Sequence, residues 1–184
     1  VAGGASALID TAVVGQERGR GIRYLLGALV IAVADYATKS WALMFLEPSM
    51  SIPVLPGLDL VLVFNSGAAF GILADAGGWQ RWLFLGAGAT ISLAVAVTLL
   101  REKSKDMPFN IGLMLILGGA FGNMVDRFRQ GYVVDFIDLH FRGWHWPAFN
   151  LADFAISTGA MLLLAGAFGL YSIGSLKSRR EPDR

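Results

Sequence analysis

Four stretches of this chain are long and apolar enough to call for a hydrocarbon environment, and this limits the folds open to it more than any other feature. They run over about residues 22–46, 79–100, 108–125 and 151–173. A helix that crosses a bilayer needs about 20 mainly apolar residues, because the hydrocarbon core is about 30 Å thick. Backbone polar groups in lipid must be satisfied within the segment, so such stretches become helices. Composition agrees: 55% of the residues are hydrophobic and 16% charged, whereas soluble domains carry about 25% charged residues. Each stretch is rich in Gly and Ala, which lets membrane helices pack closely. The chain has no cysteine, which removes disulfides, thiolate metal sites and cysteine nucleophiles together. With a net charge of +1 and no basic stripe, it offers nothing for nucleic acid.

Lys and Arg in short flanks set the orientation of a membrane chain. Arg18, Arg20 and Arg23 precede the first stretch; Arg101, Lys103 and Lys105 separate the second from the third; Lys177, Arg179, Arg180 and Arg184 follow the fourth. In a four-span chain these groups share one side. The other side holds only Arg81, Arg127, Arg129 and Arg142, with Lys39 near a helix end. Both termini are therefore expected in the cytoplasm. Trp41, Trp79, Trp82, Trp144 and Trp146 then gather at the outer interface, where amphipathic rings prefer to lie. The expected organisation is a flexible cytoplasmic arm over 1–21, a four-helix transmembrane domain over 22–173 and a basic cytoplasmic tail over 174–184. The fold class is an all-α membrane protein with four transmembrane helices and a small extracytoplasmic β-rich loop region. The strands are expected in the first outer loop, where SIPVLPGLDLVLVF alternates and is rich in Val, Leu and Ile.

Charged groups inside spans are costly and mark function or a buried pair. Here they fall at one depth. Asp35 lies about 20 Å from the cytoplasmic end of its helix at about 1.5 Å per residue, and Lys39 is one turn further out. Asn123, Asp126 and Arg127 close the third span, Asn150 and Asp153 open the fourth, and Asp135 lies between them. Polar groups from three helices and the loop joining the last two thus converge near the outer leaflet. Asp35 and Lys39 share a helix face at i, i+4, either as a structural ion pair or with a chemical role. Asp126 and Arg127 read as a network that closes the helix end. Asn150 has the place of an N-cap, and Asp153 that of a carboxylate favoured by a helix N-terminus. Two carboxylates in one site cannot both ionise easily, so one holds a proton. Proximity in sequence leaves both Asp126 and Asp135 as partners for Asp153. Val133 and Val134 are stiff at χ1 and would aim Asp135 from a short extended segment.

Taken in order, DYATK with Asp35 and Lys39, NSGAAFG from Asn65 through Gly67, GGAFGNMVDR with Asn123, Asp126 and Arg127, VVDFID with Asp135, and PAFNLAD with Asn150 and Asp153 resemble the lipoprotein signal peptidase (signal peptidase II) family. The resemblance implies a bacterial aspartic endopeptidase of the cytoplasmic (inner) membrane with its active site near the outer leaflet. It implies a prolipoprotein substrate bearing diacylglycerol on a cysteine, cleaved just before that cysteine. Asp135 and Asp153 take the catalytic positions, and Asp35, Lys39, Asn65, Gly67, Asn123, Asp126, Arg127 and Asn150 the supporting and substrate-binding ones. It further implies no cofactor or metal, contact with membrane lipid, a monomer, and sensitivity to cyclic-peptide inhibitors of the globomycin type.

Three rival readings carry less weight. Ser40 adjoins Lys39, but i, i+1 residues on a helix do not face each other, which argues against a Ser–Lys hydrolase. His140 and His145 stand near Asp135 and Asp138, yet their spacing matches no helical HExxH zinc signature. A small transporter would place its ionisable groups near the midplane, often in inverted repeats, and no repeat is visible.

Overall fold

A computed structural model of the chain describes residues 2–67, 77–101 and 106–171, with side chains from residue 21 onward. Helix α1 spans Ala2–Phe45. A hairpin follows, β1 Ser51–Leu55 and β2 Leu58–Asn65. Next come α2 Gln80–Arg101 and α3 Met107–Gln130. Strands β3 Val133–Phe141 and β4 Trp144–His145 lead to α4 Leu151–Ala167. The strands form one antiparallel sheet in the order β1-β2-β3-β4.

Three helical segments are long and apolar enough to cross a membrane, Gly21–Phe45, Gln80–Arg101 and Met107–Gln130. Helix α4 is apolar but has 17 residues, and it ends at Ala167 rather than near 173. Gly169, at φ 74°, supplies the left-handed residue on which helices commonly stop. Helix α3 differs the other way, running past 125 to Gln130. The charges at Asp126 and Arg127 do not end it; Gly131 does, at φ 88° with its N–H on the Arg127 carbonyl. Backbone of α1 is helical from Ala2, where an arm was expected over 1–21; the side chains of 1–20, like the tail over 174–184, lie outside the described residues.

Helix α3 packs against α1, α2 and α4. Its contact with α4 depends on glycine. A Cβ on Gly159 would lie 2.5 Å from the Gly112 carbonyl oxygen, and one on Gly119 would meet the Ala152 carbonyl. Close backbone approach of this kind is how membrane helices gain packing when no hydrophobic drive separates them from lipid. The outer faces stay apolar and open: Leu26, Val30, Val33, Leu93, Phe121 and Met161 are all exposed.

The sheet draws on both the α1–α2 and the α3–α4 connections, which the alternation in the first of them alone did not reveal. β3 pairs with β2, setting Asp135 opposite Val63 and Val133 opposite Asn65. Side chains alternate across a strand, so Val63, Asn65, Val133 and Asp135 share one face. The other face carries Leu62, Val134 and Phe136, buried with Ala42 and Leu46 from the end of α1. This small core fixes the register of β3, because a one-residue slip would exchange the two faces. It thereby fixes the direction of Asp135.

Candidate active site

Asp135 sits on β3 and Asp153 in the first turn of α4. The segment before α4 closes the gap between them. The N–H groups of Phe136 and Ile137 donate to the Phe149 carbonyl at 3.1 and 2.9 Å, and the Phe149 N–H returns to Ile137 at 3.0 Å. Asn150 then caps the helix. Its side-chain oxygen accepts the Asp153 N–H at 3.0 Å, and the Asp153 carboxylate accepts the Asn150 N–H at 3.3 Å. The two residues form a capping box, which satisfies orphan backbone donors reciprocally. The bland roles suggested for Asn150 and Asp153 are realised, and the same geometry brings both beside Asp135.

Three asparagines hold the two carboxylates. Asn150 Nδ2 donates to Asp135 Oδ1 at 2.6 Å, and Asn65 Nδ2 donates to Asp135 Oδ2 at 3.0 Å. Asn123 Nδ2 donates to Asp153 Oδ1 at 2.7 Å. Asp135 is buried. Burial, and next the negative charge of Asp153, push its carboxyl up to about 7, against the opposing effect of the Asn65 and Asn150 hydrogen bonds. A carboxyl that is neutral near pH 7 beside an ionised one is the arrangement that acid–base hydrolysis uses.

Behind Asn123 lies a second charged group. Lys39 is buried, 2.7 Å from Asp35 and 2.9 Å from Asp126. Its ammonium also donates to Asn123 Oδ1 at 2.9 Å. Each carboxylate has a further donor: Ala152 N–H to Asp35 at 2.9 Å and Val134 N–H to Asp126 at 3.2 Å. Gly122 makes room for this cluster, since a Cβ there would stand 2.5 Å from Asp35 Oδ2. Asp35 and Lys39 thus tie α1 to the start of α4, and Asp126 ties α3 to β3.

Asn65, Asn123, Arg127, Asp135 and Asp153 line a cavity of about 940 Å³; Asp35, Lys39 and Asp126 do not. Arg127 Nη2 donates to the Gly67 carbonyl at 2.9 Å, and its guanidinium lies over the Phe84 ring at 4.9 Å. The Gly67 N–H in turn donates to Asn65 Oδ1 at 3.0 Å. Arg127 therefore anchors the loop that carries Asn65. The rest of NSGAAFG beyond Gly67 lies outside the described residues.

The cavity walls went unmarked in the sequence. Val63, Phe64, Leu139, Trp146, Phe149, Phe154 and Ile156 line it, and only their strand and helix positions relative to the aspartates single them out among many apolar residues. His140 and His145 turn away from the aspartates. His140 pairs with Asp59 at 3.2 Å and His145 with Asp138 at 2.8 Å, the two rings stacking 5.0 Å apart. The Ser51 hydroxyl donates to Asp59 at 2.6 Å and, with His140, holds that carboxyl below its ordinary range. Among the described residues, no three or more His, Cys, Asp or Glu side chains group to hold a metal.

Residues 27–169 match the family model described as Signal peptidase (SPase) II. A lipoprotein signal peptidase of Polynucleobacter necessarius is 46% identical over 145 residues, covering 79% of this chain and 88% of its own length. One of Burkholderia mallei is 48% identical over 139 residues, covering 74% and 82%. A solved structure titled as a bacterial membrane enzyme superposes with a TM-score of 0.73 at 26% identity, covering 88% of this chain and 93% of its own.

Proposed function

Since the chain belongs to the signal peptidase II family and removes signal peptides from prolipoproteins, we propose that it does so as an aspartic endopeptidase with Asp135 and Asp153 as the catalytic pair. The observation that carries this reading is that both carboxyls open onto one cavity while the other buried carboxylates among the described residues, Asp35 and Asp126, are tied to Lys39. Water between the two carboxyls is deprotonated by the ionised one and attacks the scissile carbonyl. The protonated one supports the developing oxyanion and then passes its proton to the departing amine. Asp135, neutral up to about pH 7, is the proton holder at the start, and Asp153 the base. Asn65, Asn123 and Asn150 orient the pair, and Arg127 with Gly67 holds the loop that brings Asn65.

The mostly apolar cavity suits a substrate that arrives with a diacylglyceryl group on its cysteine and a signal helix, and cleavage falls just before that cysteine. Helix α4 is the fourth membrane span, short at its C-terminal end, where it stops at Ala167 ahead of Gly169. Both termini are cytoplasmic, the sheet lies on the outer face of the bacterial inner membrane, and the enzyme works as a monomer among lipids. A globomycin-type cyclic peptide would occupy the same cavity.

The test is incubation of purified protein with a diacylglyceryl-modified prolipoprotein, read by gel mobility. Cleavage unaffected by EDTA and absent for unlipidated substrate is expected. Loss in EDTA that zinc restores, or equal turnover of unlipidated substrate, would overturn the reading.

A further inference from the structure

An asparagine side chain presents an oxygen that only accepts and a nitrogen that only donates, so its direction is set by whatever binds the oxygen. All three asparagines at the candidate pair have that oxygen tied. Asn65 Oδ1 accepts the Gly67 N–H, and Asn150 Oδ1 accepts the Asp153 N–H. Both anchors are backbone groups, available because one residue starts a loop and the other caps a helix. Asn123 has no such option. It lies inside α3, where backbone N–H groups are consumed by the i to i−4 bonds of the helix. Its oxygen accepts from two side chains instead, Lys39 Nζ at 2.9 Å and, at the longer distance of 3.3 Å, Asn150 Nδ2.

Lys39 is surrounded by three oxygens, on Asp35, Asp126 and Asn123. An ammonium has three donors and no acceptor, so Asn123 cannot turn its nitrogen toward it. The amide must present Nδ2 on its far side, where it meets Asp153 Oδ1 at 2.7 Å. We propose that Lys39 is a positioning residue for the reaction: by holding the oxygen of Asn123 it directs the Asn123 N–H at Asp153, so the buried ion cluster sets the hydrogen-bond polarity of the catalytic pair. This rests on the assignment of Asp135 and Asp153 to catalysis. Without the ammonium, only the longer 3.3 Å bond from Asn150 Nδ2 holds the Asn123 oxygen, so the amide is freer to turn that oxygen toward Asp153 and replace attraction with repulsion at the base. The charged groups facing the pair are Lys39 and Asp35 from α1 and Asp126 and Arg127 from α3.

Two variants test this, each assayed for kcat, KM and the pH profile of cleavage beside wild type. Asn123→Asp keeps an oxygen for Lys39, so the cluster stays paired and the protein folds, but Asp153 loses its donor and gains an anionic neighbour. A fall in kcat of roughly 10²-fold with little change in KM, and a move of the acid limb to higher pH by about one unit, are expected. Lys39→Met combined with Asp35→Asn and Asp126→Asn removes the cation without stranding a buried charge. It should lower kcat similarly, and adding Asn123→Asp to it should cost less than Asn123→Asp costs in wild type. A folded Asn123→Asp enzyme with wild-type kcat and pH profile would overturn the proposal, as would a folded Lys39 combination with wild-type kcat. If that combination does not fold, Asn123→Asp alone decides. Asp135→Asn and Asp153→Asn run in parallel separate the two claims: if either remains active, the catalytic assignment fails; if both are dead while Asn123→Asp is normal, only the positioning role fails.

Discussion

Asp35 and Asp126 share one lysine; Asp135 and Asp153 share none. The first two are carboxylates brought into the protein with an ammonium between them and a backbone N–H on each. Burying a charge is costly, and breaking such a group by removing one partner costs more than the group contributes. Its work here is to join four elements at fixed distances. Among the described residues, the second two receive neutral amide N–H groups. These bonds orient the pair, while burial and then the charge of Asp153 push the Asp135 carboxyl up to about 7. The contrast teaches that the acidic residues of this membrane chain divide by direct contact: those paired with the lysine stay out of the cavity, and the two held by amides line it, with Arg127 beside them.

The sharpest way to break this comparison is to neutralise each member in turn. Asp135→Asn and Asp153→Asn should each lower kcat by roughly 10⁴-fold while substrate still binds, and the double variant should be no worse than either single, because the pair acts as a unit. Steady-state and single-turnover cleavage would check this; additive losses would mean two independent roles. Asp126→Asn should do the reverse. Losing a charged partner of Lys39 should destabilise the fold by about 1–3 kcal/mol, seen as a lower melting temperature in detergent, while turnover stays within about tenfold of wild type. A folded Asp126→Asn protein without turnover, beside an active Asp135→Asn protein, would reverse the assignment.

Acidity gives a subtler separation. The Asp135 carboxyl rises from 3.8 to about 7 on folding, so the folded state binds the proton more tightly than the unfolded chain does. The stability this brings is complete below about pH 4 and is lost as pH rises through about 7. Asp135→Asn should therefore gain melting temperature relative to wild type between pH 4.5 and pH 8, a change that Asp126→Asn should not show. The smallest effect belongs to the sheet rim: Ser51→Ala, which removes the hydroxyl on Asp59, should change stability by no more than about 0.5 kcal/mol and leave cleavage unchanged.

Much of this division was legible in the sequence, because intramembrane charge is rare enough that position alone marks it. Asp35, Lys39, Asn123, Asp126, Arg127, Asn150 and Asp153 stood out at one depth, and the stiff Val133–Val134 pair pointed to an extended segment carrying Asp135. The helix ends were not legible. Asp126 and Arg127 looked like the close of α3, since an apolar run ends there; Asp126 is paired with Lys39, and the helix continues to Gln130, where Gly131 stops it. The sheet was half visible. Residues 133–141 form β3, but their aromatic and charged pattern hides the alternation that the hairpin displays. The cavity walls could not be read at all, because Phe149, Phe154 and Ile156 differ from lipid-facing residues only in what the fold sets opposite them.

One measurement bears on the central contrast most directly: the infrared carboxylic-acid band of the purified protein in detergent, followed from pH 4 to pH 9 in wild type, Asp135→Asn and Asp126→Asn. The account predicts a protonated carboxyl in wild type that persists to neutrality, titrates near pH 7, vanishes in Asp135→Asn and survives in Asp126→Asn. A band that survives in Asp135→Asn and vanishes in Asp126→Asn would place the shared proton in the lysine cluster and contradict it.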